Sequence, residues 1–149
     1  MAATAFERFK VAVRAQIPIV RALEQELGVE RAHALVREAL DAENRAVTAR
    51  RAERVAVTVP LLREDFAAAG EGIDYRYEVV EESEDLLRIN VQSCDYARYM
   101  EKLGARDLGP LLVCDNDFSN AEGMGVKLSR DKTCMKGDGV CNFCFEIKR

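Results

Sequence analysis

The chain has 149 residues, of which 48% are hydrophobic and 32% are charged, a combination typical of a folded domain with its own hydrophobic core. The 22 basic and 26 acidic residues give a net charge of −4, which argues against a nucleic-acid-binding protein because such proteins usually carry a basic excess. No apolar run reaches membrane-spanning length, and charges interrupt any signal-peptide core near the N-terminus. We therefore expect a cytoplasmic protein with no nucleic-acid and no membrane partner.

The first half of the chain is rich in alanine and predicts helices. Apolar residues recur at steps of three or four, and the predicted helices cover residues 5–27, 30–53 and 61–69. Pro18 should kink or divide the first helix, because proline lacks the backbone N–H that a helix interior needs. The alternating residues 55–59 are compatible with a short strand. The only histidine, His33, lies beside the apolar stripe of the second helix, where a structural role is commoner than a catalytic one.

The second half predicts two pairs of strands with helices between them. The strand pairs are residues 75–81 with 86–93 and residues 125–134 with 140–148, and the helices are one from Asp95 to Leu103 and another around residues 111–120. Strands that follow each other across short turns favour antiparallel pairing. We therefore predict an α+β fold, in which N-terminal helices pack on an antiparallel sheet of two hairpins with intervening helices.

This order of elements fits a single domain over residues 1–149, with a helical half, residues 1–69, and an α+β half, residues 70–149, that carries all five cysteines. The odd number of cysteines and the lack of an export signal predict reduced thiols. Cys114 and Asp117 are three residues apart and would project from one face of the predicted helix. A thiol beside a carboxylate suits a divalent metal or a nucleophile with a neighbouring proton acceptor.

Cys141 and Cys144 have the spacing of a metal knuckle or a redox pair. In a regular strand, however, side chains three residues apart point to opposite faces. We therefore expect Cys141 to face the core together with Phe143, and Cys144 to face away. Cys134 would lie opposite Cys141 across the last hairpin, while Cys94 marks the end of an earlier strand.

Several residues of the second half occur in a known order: a strand-end cysteine, a second cysteine followed by an aspartate, an Arg-x-x-Thr strand, and a glycine before Cys-x-Phe. They are Cys94, Cys114, Asp117, Arg130, Thr133, Gly137, Cys141 and Phe143. With this pattern, residues 90–147 resemble the L-2-amino-thiazoline-4-carboxylic acid hydrolase family. Asn142 stands where that family usually has aspartate, and Cys134 and Cys144 are additions to the shared pattern.

The resemblance implies a small hydrolase that opens a cyclic amidine-type C–N or C–S bond with a cysteine/aspartate site. The candidate catalytic residues, which are also the candidate metal ligands, are Cys94, Cys114, Asp117 and Cys141, with Cys134 and Cys144 as additional metal-ligand candidates. Arg130 would pair with a substrate carboxylate. A divalent ion, zinc or manganese, would lower the pKa of a bound water to about 7; alternatively, one cysteine attacks the substrate directly as a thiolate.

Two other classes of function remain open. Several thiolates with few nitrogen ligands suit a soft metal or an iron–sulfur cluster, so the chain is alternatively a non-catalytic sensor or carrier. It is otherwise a helix-rich binding domain whose cysteines only pack. As partner we expect a small-molecule substrate, and assembly into a homo-oligomer is left open.

Overall fold

The computed structural model describes residues 1–148. Its elements, in chain order, are helices α1 (Ala5–Leu27), α2 (Val29–Ala52) and α3 (Val59–Ala69), strands β1 (Tyr77–Glu82) and β2 (Leu86–Val91), helices α4 (Asp95–Lys102) and α5 (Asn116–Gly123), and strands β3 (Val126–Ser129) and β4 (Cys141–Ile147). Between α4 and α5 the chain forms a 3₁₀ turn, Arg106–Leu108, and a π-helical turn, Pro110–Cys114. The predicted α+β fold is confirmed.

Helix α1 has the predicted bounds. The Thr4 hydroxyl accepts a hydrogen bond from the N–H of Glu7 at 3.1 Å, and the Glu7 carboxylate accepts one from the N–H of Thr4 at 2.8 Å, which fixes the N-terminus of the helix as a capping box. Of the two outcomes predicted for Pro18, division of the helix is wrong, because α1 continues through Pro18, while a kink stays a prediction. Pro18 is exposed, so the carbonyl group that loses its helical partner can face water.

His33 ties helix α2 to the end of α1. Its Nε2 lies 2.7 Å from Oε1 of Glu24, and Arg21 donates to the same carboxylate at 3.0 Å. The hydrogen bond with His33, and to a smaller extent that with Arg21, lowers the pKa of Glu24. The contacts of His33 are those of a structural residue at a helix–helix corner.

Residues 55–59 do not form the short strand that their alternation suggests. The hydroxyl of Thr58 accepts a hydrogen bond from the N–H of Leu61 at 3.3 Å, so Thr58 caps α3. Pro60 lies in the first turn of that helix, where the missing N–H costs nothing. Helix α3 therefore begins at Val59, two residues earlier than predicted.

The sheet has four antiparallel strands in the order β1-β2-β4-β3. On its packed face, the residues paired between the two central strands are all buried: Leu87 with Phe145, Ile89 with Phe143, and Val91 with Cys141. Strand β4 is regular over its whole length, so Cys141 faces the core and Cys144 faces the other side, as predicted.

Helices cover the packed face. Val59, Leu62 and Phe66 of α3 join the buried residues of β2 and β4 in one hydrophobic cluster. A second cluster joins α1 to α4 and to the turns that follow α4; Val13 and Met100 are among its fully buried members. Within residues 1–148, no helix has both the length and the apolar character needed to cross a membrane.

Two predicted elements of the second half differ from the structure. The helix expected around residues 111–120 is divided at Asp115, whose N–H donates to the carbonyl of Pro110 at 2.8 Å in a π-helical bond. Strand β3 ends at Ser129 and not near residue 134. The following loop is ordered instead by its own side chains: the N–H of Thr133 donates to Asp138 at 2.9 Å, and the N–H of Lys136 donates to the Thr133 hydroxyl at 3.1 Å.

The close approach of α5 to α2 depends on Gly123. A Cβ atom at this position would lie 2.6 Å from the carbonyl oxygen of Arg45 and closer still to the hydroxyl of Thr48. We expect Gly123→Ala to destabilise the protein by about 1–3 kcal/mol through overpacking, measured by urea unfolding. Glu122→Ala is the control, because Glu122 is on the same helix and exposed. Equal stability of the two variants would contradict the packing argument.

Candidate functional site

A cavity of about 380 Å³ lies between helices α2, α3 and α5 and the packed face of the sheet, where Phe143 and Phe145 form part of its wall. Its lining is mostly apolar, and the polar side chains in it are Thr48, Arg51, Asp65, Tyr75, Asp117 and Asn120. Small-molecule sites commonly combine apolar walls with a few polar groups and have volumes of roughly 300–1,000 Å³. This cavity is therefore the candidate functional site.

Asp117, in the first turn of α5, is held by Arg130. Nη1 of Arg130 donates to Oδ2 of Asp117 at 2.6 Å, and Nη2 donates to the carbonyl oxygen of Cys114 at 2.9 Å. The guanidinium lies over the rings of Phe118 and Phe143, 5.0 and 5.1 Å from their centroids. Only 3% of the Arg130 side chain is exposed. These contacts fix both the position and the orientation of the Asp117 carboxylate.

The predicted role of Arg130 in binding a substrate carboxylate stays a prediction. Both terminal nitrogens of its guanidinium are already bound to protein groups, and its Nε is buried without a hydrogen-bond partner among the described residues. Arg130 does not belong to the wall of the cavity. In this arrangement, Arg130 mainly holds and orients the carboxylate of Asp117.

The pKa of the Asp117 carboxyl group is higher than is usual for an aspartate. Removal from bulk water raises its pKa to about 6, although the charge and the hydrogen bond of Arg130 act in the opposite direction. The side chain nevertheless remains 42% accessible, and it lines the cavity. Asp117 can therefore gain or lose a proton near neutral pH while remaining in contact with a bound molecule.

Tyr75 was not among the residues predicted for the site. It lies just before β1, packs against Gly70 and Phe66, and lines the cavity. Burial, followed by the charge of Asp117, raises its pKa well above the usual value, so the phenol stays protonated. The sequence pattern placed Tyr75 in a strand and gave no sign that it would meet Asp117.

Three of the predicted site cysteines come together near Asp117 and Tyr75. Ionisation of Cys94 or Cys141 would raise the pKa of the Tyr75 phenol, and the charge of Asp117 raises the pKa values of Cys94 and Cys114. The three cysteines reach this region from the N-terminus of α4, the π-helical turn and the start of β4. The site residues recognised in the sequence therefore share one electrostatic environment.

All three thiols are held in the protonated form. Burial is the largest cause in each case: it raises the pKa of Cys94, that of Cys114 well above its usual value, and that of Cys141 to about 12. At Cys94 the peptide N–H groups of Tyr96 and Ala97 act to lower the pKa, but they make no capping hydrogen bond of normal geometry. Thiols of this kind are poor nucleophiles at neutral pH.

The other two cysteines differ in position. Cys134 lies beside Cys141, as predicted, and its N–H donates to the Cys141 sulfur at 3.2 Å. Cys144 lies on the opposite face of β4. Among residues 1–148, no cysteine contributes to the wall of the cavity.

Asn142 also lies on the face away from the core, and its amide orders the start of the loop after β3. The amide oxygen accepts hydrogen bonds from the N–H groups of Asp131 and Lys132, at 3.2 and 2.9 Å, and the amide nitrogen donates to the Asp131 carboxylate. Asn142 therefore has a structural role in this chain.

A preformed metal centre does not fit the side chains present. Within residues 1–148, no group of three or more histidine, cysteine, aspartate and glutamate residues is placed to hold one ion, whereas a protein-bound zinc takes three or four such ligands. Zinc, manganese and an iron–sulfur cluster stay predictions.

The sequence model of the L-2-amino-thiazoline-4-carboxylic acid hydrolase family matches residues 6–145. The chain belongs to this family. The match extends through the helical half as well as the cysteine-bearing half, so the cavity lies entirely within the region that defines the family. Membership supports a hydrolase-like function in general terms, while the substrate is a separate question because one fold hosts many reactions. No curated protein matches the chain.

The catalytic role predicted for the cysteines of this family member is tested by serine substitution. We expect Cys114→Ser to change activity only a few-fold, because its thiol stays protonated at neutral pH and lies outside the cavity wall. Cys144→Ser on the opposite face is the matched control and should leave activity unchanged. Loss of all activity in Cys94→Ser, Cys114→Ser or Cys141→Ser, with the fold intact, would instead identify a nucleophilic or metal-binding thiol.

Proposed function

We propose that this family member is a hydrolase that opens a C–N or C–S bond of a cyclic amidine-type small molecule bound in the cavity. The observation that carries the proposal is Asp117, a carboxylate with a pKa of about 6 that a buried arginine fixes at the wall of an apolar cavity. A general base is most effective when its pKa lies near the working pH. Asp117 is the residue of the cavity wall that meets this condition.

In the first step, ionised Asp117 takes a proton from a water molecule while the water oxygen forms a bond to the amidine carbon. The electron pair of the C=N bond moves onto nitrogen. Arg130 keeps the carboxylate oriented, and the protonated phenol of Tyr75 donates a hydrogen bond to the developing charge. One C–O bond forms, and Asp117 becomes a neutral acid.

In the second step, the hydroxyl proton passes to the negatively charged nitrogen, the oxygen forms a C=O bond, and the tetrahedral carbon expels one of its two ring heteroatoms. The leaving sulfur or nitrogen takes the proton from Asp117, which returns to its ionised form. One water is consumed, one ring bond is broken, and no oxidation or reduction takes place. The buried thiols help to exclude water from Asp117, which supports its raised pKa.

Hydrolysis can be measured directly with L-2-amino-thiazoline-4-carboxylate and with cyclic amidines that bear longer acid chains. Mass spectrometry detects a product heavier by one water, and a thiol reagent applied to the protein-free filtrate separates C–S cleavage, which frees a thiol, from C–N cleavage, which does not. We expect turnover by the wild-type protein and almost none by Asp117→Asn. Equal turnover by the two proteins would overturn the proposal.

The alternative of a non-catalytic metal or iron–sulfur protein stays a prediction, as do the cytoplasmic location and assembly into a homo-oligomer. Protein purified without oxygen and analysed for zinc, manganese, iron and sulfide would decide between the two functions. Stoichiometric iron and sulfide would favour a cluster-binding carrier.

A further inference from the structure

The cavity wall also contains a cation, on a different helix from Asp117. Arg51, near the end of α2, is the one positively charged side chain in the cavity wall that residues 1–148 provide. It forms a two-pronged ion pair with Asp65 of α3, with both N–O distances at 2.8 Å. The side chains are 41% and 37% exposed, so solvent or a ligand can reach the pair. Ion pairs this exposed contribute little to stability and are exchanged easily.

By their backbone positions along α2 and α5, Arg51 and Asp117 lie towards opposite ends of the cavity. Helices α2 and α5 run in the same direction, since Asn44 contacts the start of α5 and Thr48 lies against its end at Gly123. Asp117 and Gly123 are six residues apart, which corresponds to about 9 Å along the axis of α5. Arg51 lies a further turn along α2. A molecule that reaches both ends must therefore be extended.

The wall between these two ends is apolar and aromatic. Phe66 meets Phe143 and Phe145 edge-on, with ring centroids 5.0 and 5.7 Å apart, and Leu62 and Met124 complete this part of the wall. A five-membered ring with a directly attached carboxylate spans only about 5 Å. Such a ring beside Asp117 would lie near Phe143, but it would be too short to reach Arg51 as well.

We infer that the cavity takes extended apolar acids, whose carboxylate replaces Asp65 as the partner of Arg51 and whose apolar part lies along the aromatic wall. The inference rests on the proposed function for the identity of the reacting end, which would lie at Asp117. Arg51 is then a specificity-determining residue, and Asp65 is a competitor that a correct ligand displaces. Charge-assisted pairing with a guanidinium favours a carboxylate over a neutral amide.

Binding can be tested without catalysis by isothermal titration of the full chain with 4-phenylbutanoate, 4-phenylbutanamide and acetate. We expect the phenyl acid to bind the wild-type protein about tenfold more tightly than its amide, and acetate to bind too weakly to measure. Arg51→Met should remove the preference for the acid. Asp65→Asn should strengthen binding of the acid several-fold, because it frees Arg51.

Arg45→Met is the matched control, because Arg45 is on the same helix and pairs with Glu122 outside the cavity wall; it should bind the acid as the wild type does. Equal binding of acid and amide, or weaker binding of the acid by Asp65→Asn, would overturn the inference. The titration is repeated on Asp117→Asn. An unchanged acid preference together with absent hydrolysis in the wild type would disprove the proposed reaction alone, whereas hydrolysis without acid preference would disprove only the role of Arg51.

Discussion

Asp117→Asn is expected to lower the rate of hydrolysis by roughly 10²- to 10⁴-fold, the usual contribution of a general base, and to leave the fold intact. Asparagine has the same shape but cannot accept a proton. Asp115→Asn is the matched control, because Asp115 is the same residue type two positions away and pairs with Arg37 outside the cavity wall. Similar loss of activity in both variants would show that surface charge, and not proton transfer at Asp117, is responsible.

The same residue sets the pH dependence. The active form is the ionised carboxylate, so activity should be full above the pKa of about 6 and fall tenfold for each pH unit below it. Stability should change in the opposite sense. Folding raises the pKa of Asp117 from its usual 3.8 to about 6, so between these two pH values the folded state binds more protons than the unfolded state. The free energy of unfolding therefore falls as the pH rises from about 4 to about 6. Asp117→Asn should remove this part of the slope.

Arg130→Met has the second large expected effect, a loss of about 1–3 kcal/mol in the free energy of unfolding, because it leaves the Cys114 carbonyl without its donor and the partly exposed charge of Asp117 without its partner. Above the pKa of Asp117 this loss should be greatest, and urea unfolding at two pH values measures it. Arg37→Met, which breaks the exposed pair with Asp115, should cost less than about 1 kcal/mol.

The kinetic effect of Arg130 can be separated from its structural effect. Loss of the cation removes the influences that lower the pKa of Asp117, so the acid limb of the activity profile should move to higher pH in any folded variant. Arg130→Lys retains the charge but has a single donor nitrogen. Compared with Arg130→Met, it should be more stable, and its acid limb should lie closer to that of the wild type. An acid limb that does not move would show that Arg130 has no influence on the proton equilibrium.

The parts of the fold that follow local periodicity could be predicted from the sequence. The apolar residues of α1 follow the helical period of 3.6, and those of β4 follow the strand period of 2. The strand period alone assigns Cys141 and Cys144 to opposite faces. The segment 106–123 could not be predicted, because one π-helical bond to Pro110 divides it and no propensity rule places such a bond. The short strand predicted over residues 55–59 is absent for a related reason. The Thr58 hydroxyl caps helix α3, and this capping outweighs the alternation of apolar and polar residues.

Of the residues predicted for the site, Asp117 lines the cavity and the cysteines do not, and the pairing of Asp117 with Arg130 could not be predicted. Cys114 and Asp117 are close in sequence, so their proximity is local. Arg130 meets Asp117 only because β3 is short and ends beside the start of α5, and Arg51 meets Asp65 only through the packing of two helices. Contacts of that kind depend on tertiary structure, which a single sequence does not reveal.

The amide of Asn142 has a consequence for how this family can vary. Asn142 both accepts from the backbone of the loop and donates to Asp131, whereas an aspartate at this position would offer only acceptors and would face Asp131 as a like charge. The two positions should therefore change together during evolution. Relatives with aspartate in place of Asn142 are expected to lack an acidic residue in place of Asp131, and here Asn142→Asp should be tolerated best together with Asp131→Asn.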